Sequence, residues 1–303
     1  MSTRNWIKFI ALGVIWGSSF LWIKIAVGEL STFTLVTLRL FFATGGLLAV
    51  VLLSRHRLPL RRWKTFLVMG AFNIALPFML ITWAEKSITS ALASILNSTV
   101  PLFTILFAGL FLRDDPITQA RVAGLLVGFG GVVVLVMGPG NRVGGLPLGI
   151  LAMLLAAASY AGATVFARRH TQGMTADVQG LGQQIMATAV MIPLTLGFET
   201  PLRLPHLPIT WLALAWLGLL GTCVGAMLYY SLLHSVGPTR TMLSSYLFPL
   251  VGVILGIIFL HEKASWTLWL GVALIFSGIW LVNSNFHFLP VGTANKPTET
   301  HES

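Results

Sequence analysis

The side chains able to do chemistry stand out because nearly everything around them is apolar. Trp16, Ser18 and Ser19 share one apolar run, Arg39 lies in the next, Asn73 and Asn97 in the third and fourth, and Tyr160, Tyr229, Ser245 and Tyr246 in later ones. Pro77, Pro101 and Pro249 each stand four residues after a polar residue, namely Asn73, Asn97 and Ser245. In a helix, proline lacks the N–H that would bond the carbonyl four residues back. Three helices therefore carry a freed carbonyl beside a polar side chain on one face, and such a face binds a small polar molecule through hydrogen bonds. The other reading is local: Asn or Ser helps to satisfy the kink, directly or through water. The same prolines are candidate hinges for gating.

Arg39 falls about two turns into its run, roughly 10 Å along a helix that rises 1.5 Å per residue. Three uses are open to it: pairing with a substrate carboxylate, snorkelling to the interface, or donating to neighbouring carbonyls. Trp16, Ser19, Tyr160, Tyr229 and Tyr246 offer aromatic surface or hydroxyl handles, the lining that suits a cavity for amphipathic solutes. Trp83, Trp266 and Trp269 lie near the ends of runs and read as interface anchors.

Equally informative is what is missing at membrane depth. All nine acidic and seven histidine residues sit at the ends of apolar runs, in connections or in the C-terminal tail. An intramembrane protease or lipid transferase needs catalytic carboxylates, a metal-binding histidine pair or a Ser/His pair there. The chain is therefore expected not to be an enzyme. Cys223 is the one cysteine, so neither an internal disulfide nor a thiolate cluster is available. No metal or cofactor is expected. Coupling to protons is left open, with Glu85 the least unsuitable carboxylate and a facilitator as the other option. A receptor or channel is the remaining alternative to transport, but nothing resembles a selectivity filter or a charged pore ring.

The elements that must position these residues are membrane helices. The chain is 303 residues long, 56% hydrophobic and only 9% charged, with a mean hydropathy of +0.85. Soluble chains carry roughly 25% charged residues, so most of this surface must face lipid. The net charge of +10 fits basic cytoplasmic loops better than nucleic acid, because no soluble domain carries it.

A spanning helix needs roughly 20 apolar residues, and ten runs qualify: 6–27, 33–53, 65–84, 90–112, 118–137, 147–167, 178–198, 208–231, 241–260 and 266–283. The first leads straight into the second and reads as a retained span, not a cleaved signal. Arg55, Arg57, Arg61, Arg62 and Lys64 cluster between runs two and three, which makes that connection cytoplasmic. Both termini are then cytoplasmic. On this assignment 13 of 19 basic residues fall inside and five outside, with Arg39 within a span.

Residues 97–116 (NSTVPLFTILFAGLFLRDDP) match 245–264 (SYLFPLVGVILGIIFLHEKA) at a shift of 148, aligning Pro101 with Pro249, Leu112 with Leu260 and Asp114 with Glu262. With one residue of slip, Gly124 and Gly131 then meet Gly271 and Gly278, and more weakly 16–24 meets 160–168. Five spans separate the matches. Five is odd, so the halves face opposite ways, an architecture typical of secondary transporters that bind substrate near the midplane. Gly13/Gly17, Gly124/Gly128, Gly221/Gly225 and Gly252/Gly256 are small-residue pairs that let helices approach closely.

Trp16-Gly17-Ser18-Ser19-Phe20, Arg39, Pro101, Leu112-Arg113-Asp114 and Gly124/Gly131, with Pro249, His261-Glu262 and Gly271/Gly278 in the second half, resemble the EamA family of the drug/metabolite transporter superfamily. The resemblance covers residues 6–283. It implies an all-α integral membrane protein of ten transmembrane helices, as two inverted five-helix repeats. Spans 1–4 and 6–9 would surround a central cavity, with spans 5 and 10 packed outside. It also implies export of amino acids or other small metabolites across the inner membrane. The expected organisation is a first repeat at 1–137, an external linker at 138–146, a second repeat at 147–283 and a disordered cytoplasmic tail at 284–303. Where span 2 has Arg39, span 7 has Gln183, so a paired-arginine site is not expected; Gln183 joins the candidate substrate residues instead. Substrate identity, flux direction and oligomeric state are not legible in the sequence.

Overall fold

The structure, a computed structural model, describes residues 2–56, 58–111, 119–137, 146–236, 241, 244, 247–263 and 265–283. Residues 138–145 of the expected linker, the tail, Asp114, Ser245 and Tyr246 lie outside that set. The described residues fold into helices, with no strand among them. Lipid offers backbone groups no partner, and a helix satisfies them within itself.

We number the apolar helices in chain order: α1 (Thr3–Ala26), α2 (Thr32–Ser54), α3 (Trp63–Ala84), α4 (Ser90–Phe111), α5 (Gln119–Met137), α6 (Pro147–His170), α7 (Ala176–Phe198), α8 (Pro208–Tyr229, its backbone continuing to Val236), α9 (Leu247–Leu260) and α10 (Trp266–Asn283). Among the described residues eight, α1–α8, are long and apolar enough to cross a membrane. α9 and α10 are shorter apolar helices. The 14 described residues of α9 reach about 21 Å at 1.5 Å per residue, less than a hydrocarbon core of roughly 30 Å. The run expected here begins at 241, and four of its first six residues are outside the described set.

Three helices are interrupted. α3 widens into a π-helical stretch at Ala71–Ala75, just before Pro77. α4 breaks at Ser98 and Thr99, just before Pro101. There the hydroxyls of Ser98 and Thr99 bond back to the carbonyls of Ile95 (2.6 Å) and Leu96 (2.7 Å). α8 carries a longer π stretch, Trp216–Val224, with no proline near it. A fourth intrahelical proline, Pro193, which the sequence reading passed over, sits inside an unbroken α7.

The helices pair as α5 with α10, α2 with α7, α1 with α8 and α9, α6 with α3 and α4, and α4 with α9. Small residues set the closest approaches. A Cβ on Gly131 of α5 would lie 2.8 Å from the Gly271 carbonyl of α10, and one on Gly278 would lie 2.5 Å from the Gly124 carbonyl of α5. Leu126, Phe198 and Leu53 are among many large apolar side chains left open. That exposure suits lipid and would be a liability in water. Trp83, Trp266 and Trp269 are likewise exposed near helix ends, as expected of anchors.

At the end of the bundle opposite the N-terminus, carboxylates from distant turns hold helix N-termini. Glu199 accepts from Ser31 Oγ, Phe33 N (3.0 Å) and Thr34 N (2.7 Å) at the start of α2. Glu29 accepts from His206 N, Leu207 N (3.1 Å) and Thr210 Oγ1 at the start of α8. Glu262 accepts from Ser90 N (2.7 Å) and Ala91 N (3.0 Å) at the start of α4. Each satisfies orphan donors and meets the positive end of a helix dipole.

Candidate substrate site

The two π stretches face the same chemical problem: widening a helix leaves carbonyls without their usual donors. In α8, the Gly221 carbonyl accepts from Trp16 Nε1 at 2.8 Å. In α3, the Phe72 carbonyl accepts from Ser159 Oγ at 2.6 Å. Trp16 lies on α1, and Ser159 precedes Tyr160 on α6. Trp16 is further held by stacking on Tyr229 (5.7 Å between centroids) and an edge contact with Phe248. Trp16 and Tyr229 thus form one aromatic unit. Ser19, by contrast, bonds to the Ile15 carbonyl of its own helix at 3.2 Å, and Ser18 accepts from Trp216 Nε1 at 3.0 Å.

Asn73 and Gln183, singled out for different reasons, meet. Asn73 Nδ2 donates to Gln183 Oε1 at 3.1 Å, linking the π stretch of α3 to α7. The crossing is tight because Gly70 fits it: a Cβ there would lie 2.6 Å from the Gln183 carbonyl, 2.7 Å from Ala187 N and 3.0 Å from Met186 Cβ. The same arrangement recurs at Gly218 of α8, where a Cβ would lie 2.8 Å from the Arg39 carbonyl, 3.0 Å from Ala43 N and 2.4 Å from Phe42 Cβ of α2. Gly70 and Gly218 are 148 residues apart, and Arg39, Phe42 and Ala43 each precede Gln183, Met186 and Ala187 by 144. Arg39 and Gln183 therefore occupy matching positions.

Arg39 is 6% exposed, so it does not snorkel. Its guanidinium lies 3.7 Å above the Phe78 ring, and its Nε has no hydrogen-bond partner. Tyr160, half-buried on α6, and Glu85, at the end of α3, act on it electrostatically. α2 and α7 are also joined by hydroxyl pairs, Thr37 with Thr195 (2.7 Å) and Thr44 with Thr188 (3.0 Å). Asn97 is half-buried at the break in α4, and Pro249 is buried near the start of α9, whose Leu247, Phe248 and Val251 pack on α1 at Gly13 and Gly17. Ser245 and Tyr246 fall outside the described residues.

Gln184 and the burial of Glu85 escaped the sequence reading. Gln184 is fully buried with neither amide atom bonded; its one clue was a face shared with Gly180 and Thr188, at four-residue spacing. Glu85, read as an outer-end residue, is fully buried. A groove of about 360 Å³ runs along the flank between α2 and α8, lined by Phe41, Phe42, Gly45, Gly46 and Leu219. It is apolar, and none of the candidate polar residues lines it. No group of three or more His, Cys, Asp or Glu among the described residues is arranged to hold a metal ion.

Comparison with known proteins agrees with this architecture. The model of the EamA-like transporter family matches residues 5–137 and again 147–284. The uncharacterized inner membrane transporter YedA of Escherichia coli K12 is 28% identical over 282 residues, covering 92% of this chain and 90% of its own. The uncharacterized transporter YvbV of Bacillus subtilis 168 is 27% identical over 290 residues, covering 93% and 92%. A solved crystal structure superposes with a TM-score of 0.65 over 93% of this chain and 97% of its own, at 21% identity, a likeness of fold. With both halves of the chain matched by one family and transporters as relatives, the chain is a membrane transporter belonging to the EamA-like transporter family.

Proposed function

We propose that the protein is a secondary transporter that exports small organic metabolites, amino-acid-like or drug-like solutes, across the inner membrane by alternating access. On this reading it has ten spans in two inverted halves, residues 1–137 and 147–283, joined by an external linker, with both termini and the 284–303 tail cytoplasmic. The observation that carries it is the recurrence of one helix crossing, Gly70 on Gln183–Ala187 and Gly218 on Arg39–Ala43. Two equivalent crossings in a single chain are what an exchange of open sides between equivalent halves requires.

Substrate binds among Trp16, Ser19, Arg39, Asn73, Asn97, Tyr160, Gln183, Tyr229, Ser245 and Tyr246. Arg39 takes an anionic group, the Asn73–Gln183 amides take polar groups and Trp16–Tyr229 takes an apolar face. The interruptions before Pro77 and Pro101, together with Pro249 near the start of α9, act as gates, because a helix lacking a backbone bond bends there at least cost. Relatives named as transporters support a small-molecule substrate and a lipid surround, and no nucleic acid enters the scheme.

The test is flux in liposomes loaded with a mixture of the common amino acids, using the wild type and the Asn97→Ala and Ser245→Ala variants. Both variants are expected to lower the transport rate or apparent affinity. Unchanged values in both would remove these residues from the site.

A further inference from the structure

Resting on that reading of the chain as an exporter, we propose that Glu85 is a proton-binding site that couples export to proton entry. Glu85 lies in the turn after α3, yet it is fully buried and neither carboxylate oxygen has a hydrogen-bond partner. That contrasts with Glu29, Glu199 and Glu262, whose oxygens are all engaged at helix N-termini. A carboxylate built to clamp a helix has donors; this one has none. A buried group without donors is far more stable neutral than charged.

The groups facing Glu85 are Lys24 on α1, Arg39 on α2 and Glu262 in the turn before α10, and Tyr160 on α6 lies by Arg39. The Lys24 ammonium is committed to the backbone carbonyls of Glu85 and Ile88. The Arg39 guanidinium lies over the Phe78 face. Burial pushes the Glu85 carboxyl well above the usual carboxylate range, with Lys24 and Arg39 opposing and Glu262 adding to it. Arg39 also belongs to the proposed substrate site. A solute that binds Arg39 through its anionic group and also carries an ammonium group makes that ammonium compete with a proton for the one Glu85 carboxylate, which is the basis of exchange.

The step balances simply. When the site opens outward, the Glu85 carboxylate takes one proton and becomes a neutral carboxyl, which the closed arrangement tolerates. When it opens inward, the carboxyl releases that proton to the cytoplasm as the substrate's ammonium pairs with the Glu85 carboxylate and Arg39 takes its anionic group. One proton enters for each substrate exported.

Two measurements test this. Infrared titration of the purified protein is expected to show a protonated-carboxyl band persisting above the ordinary carboxylate range, absent in Glu85→Gln and shifted in Glu85→Asp. In liposomes with the amino-acid mixture as probe, an imposed proton gradient is expected to drive accumulation in the wild type and in the exposed control Lys86→Gln. Glu85→Gln loses that accumulation and Glu85→Asp retains part of it. An infrared band that survives in Glu85→Gln, or gradient-driven accumulation equal to wild type in that variant, overturns the proposal. Wild-type counterflow that ignores the proton gradient overturns it too. Absence of any wild-type counterflow overturns the metabolite-export reading instead, and the infrared titration then decides the proton site by itself.

Discussion

The contact between α5 and α10 makes a prediction whose sign depends only on a few backbone atoms. A Cβ on Gly278 would lie 2.5 Å from the Gly124 carbonyl oxygen, 2.5 Å from Gly128 N and 2.6 Å from Gly128 Cα. All three are backbone atoms, so no side chain can rotate out of the way. Bringing the first contact from 2.5 Å to an ordinary 3.4 Å means moving the two helices apart by about 0.9 Å. A leucine at 278 adds three further carbons to the same closed crossing. Overpacking of this kind costs about 1–3 kcal/mol, and here it also opens the matching crossing at Gly131. The gain in helix propensity from replacing glycine, about 0.8–1 kcal/mol, offsets only part of that.

Gly130 supplies the control, since a Cβ there meets nothing within 4 Å. Gly130→Leu keeps the propensity gain without the clash. Thermal unfolding of the purified protein in detergent, followed by tryptophan fluorescence and gel filtration, is expected to place Gly278→Leu several degrees below wild type. Gly130→Leu is expected to match or exceed wild type. Equal stabilities for Gly278→Leu and wild type, or equal losses in the two variants, would refute the packing argument.

Three further outcomes follow from the geometry. Asn73→Ala and Gln183→Ala should each cost about 1 kcal/mol, and a double-mutant cycle in thermal stability should show them non-additive; additive losses would mean that the amides do not interact in solution. For Glu199, burial alone would raise the carboxyl, but hydrogen bonds from Ser31, Phe33 and Thr34 hold it below the usual range. Its stabilisation of the α2 start is thus complete above the ordinary carboxylate pKa and lost as pH falls through the depressed value. Glu199→Gln should show a flatter acid limb in a stability-versus-pH curve, and an unchanged limb would sink the idea. The sign reverses for Glu85, whose carboxyl burial raises. Folding favours its neutral form, so wild-type stability should fall as pH climbs from the ordinary carboxylate range toward the raised value. Glu85→Gln should gain on wild type across that window; parallel curves would argue against the buried carboxyl.

Much of the fold was legible in the chain itself because the bilayer imposes simple demands. Long apolar runs gave the rough limits of the candidate helices, and helical starts at Thr3, Thr32, Trp63, Ser90 and Ala176 fall within a few residues of those limits. Pro77 and Pro101 foretold where α3 and α4 are interrupted, since a missing N–H is a local, covalent fact. The glycines at 131 and 278 were already visible as a repeated spacing, and they proved to be crossing points.

Tertiary structure alone decided which polar groups meet. Asn73 finds Gln183, Trp16 finds the Gly221 carbonyl and Glu199 holds the start of α2. Each pairing depends on how far helices rotate about their axes when distant segments pack, and a hydrophobicity pattern leaves that angle undetermined when every face is apolar. The π stretch at Trp216–Val224 had no proline to announce it. Glu85 lies beyond the last apolar residue of its run and reads as a surface acid; only the closure of neighbouring turns over it, with Lys24 occupied by backbone carbonyls, buries it.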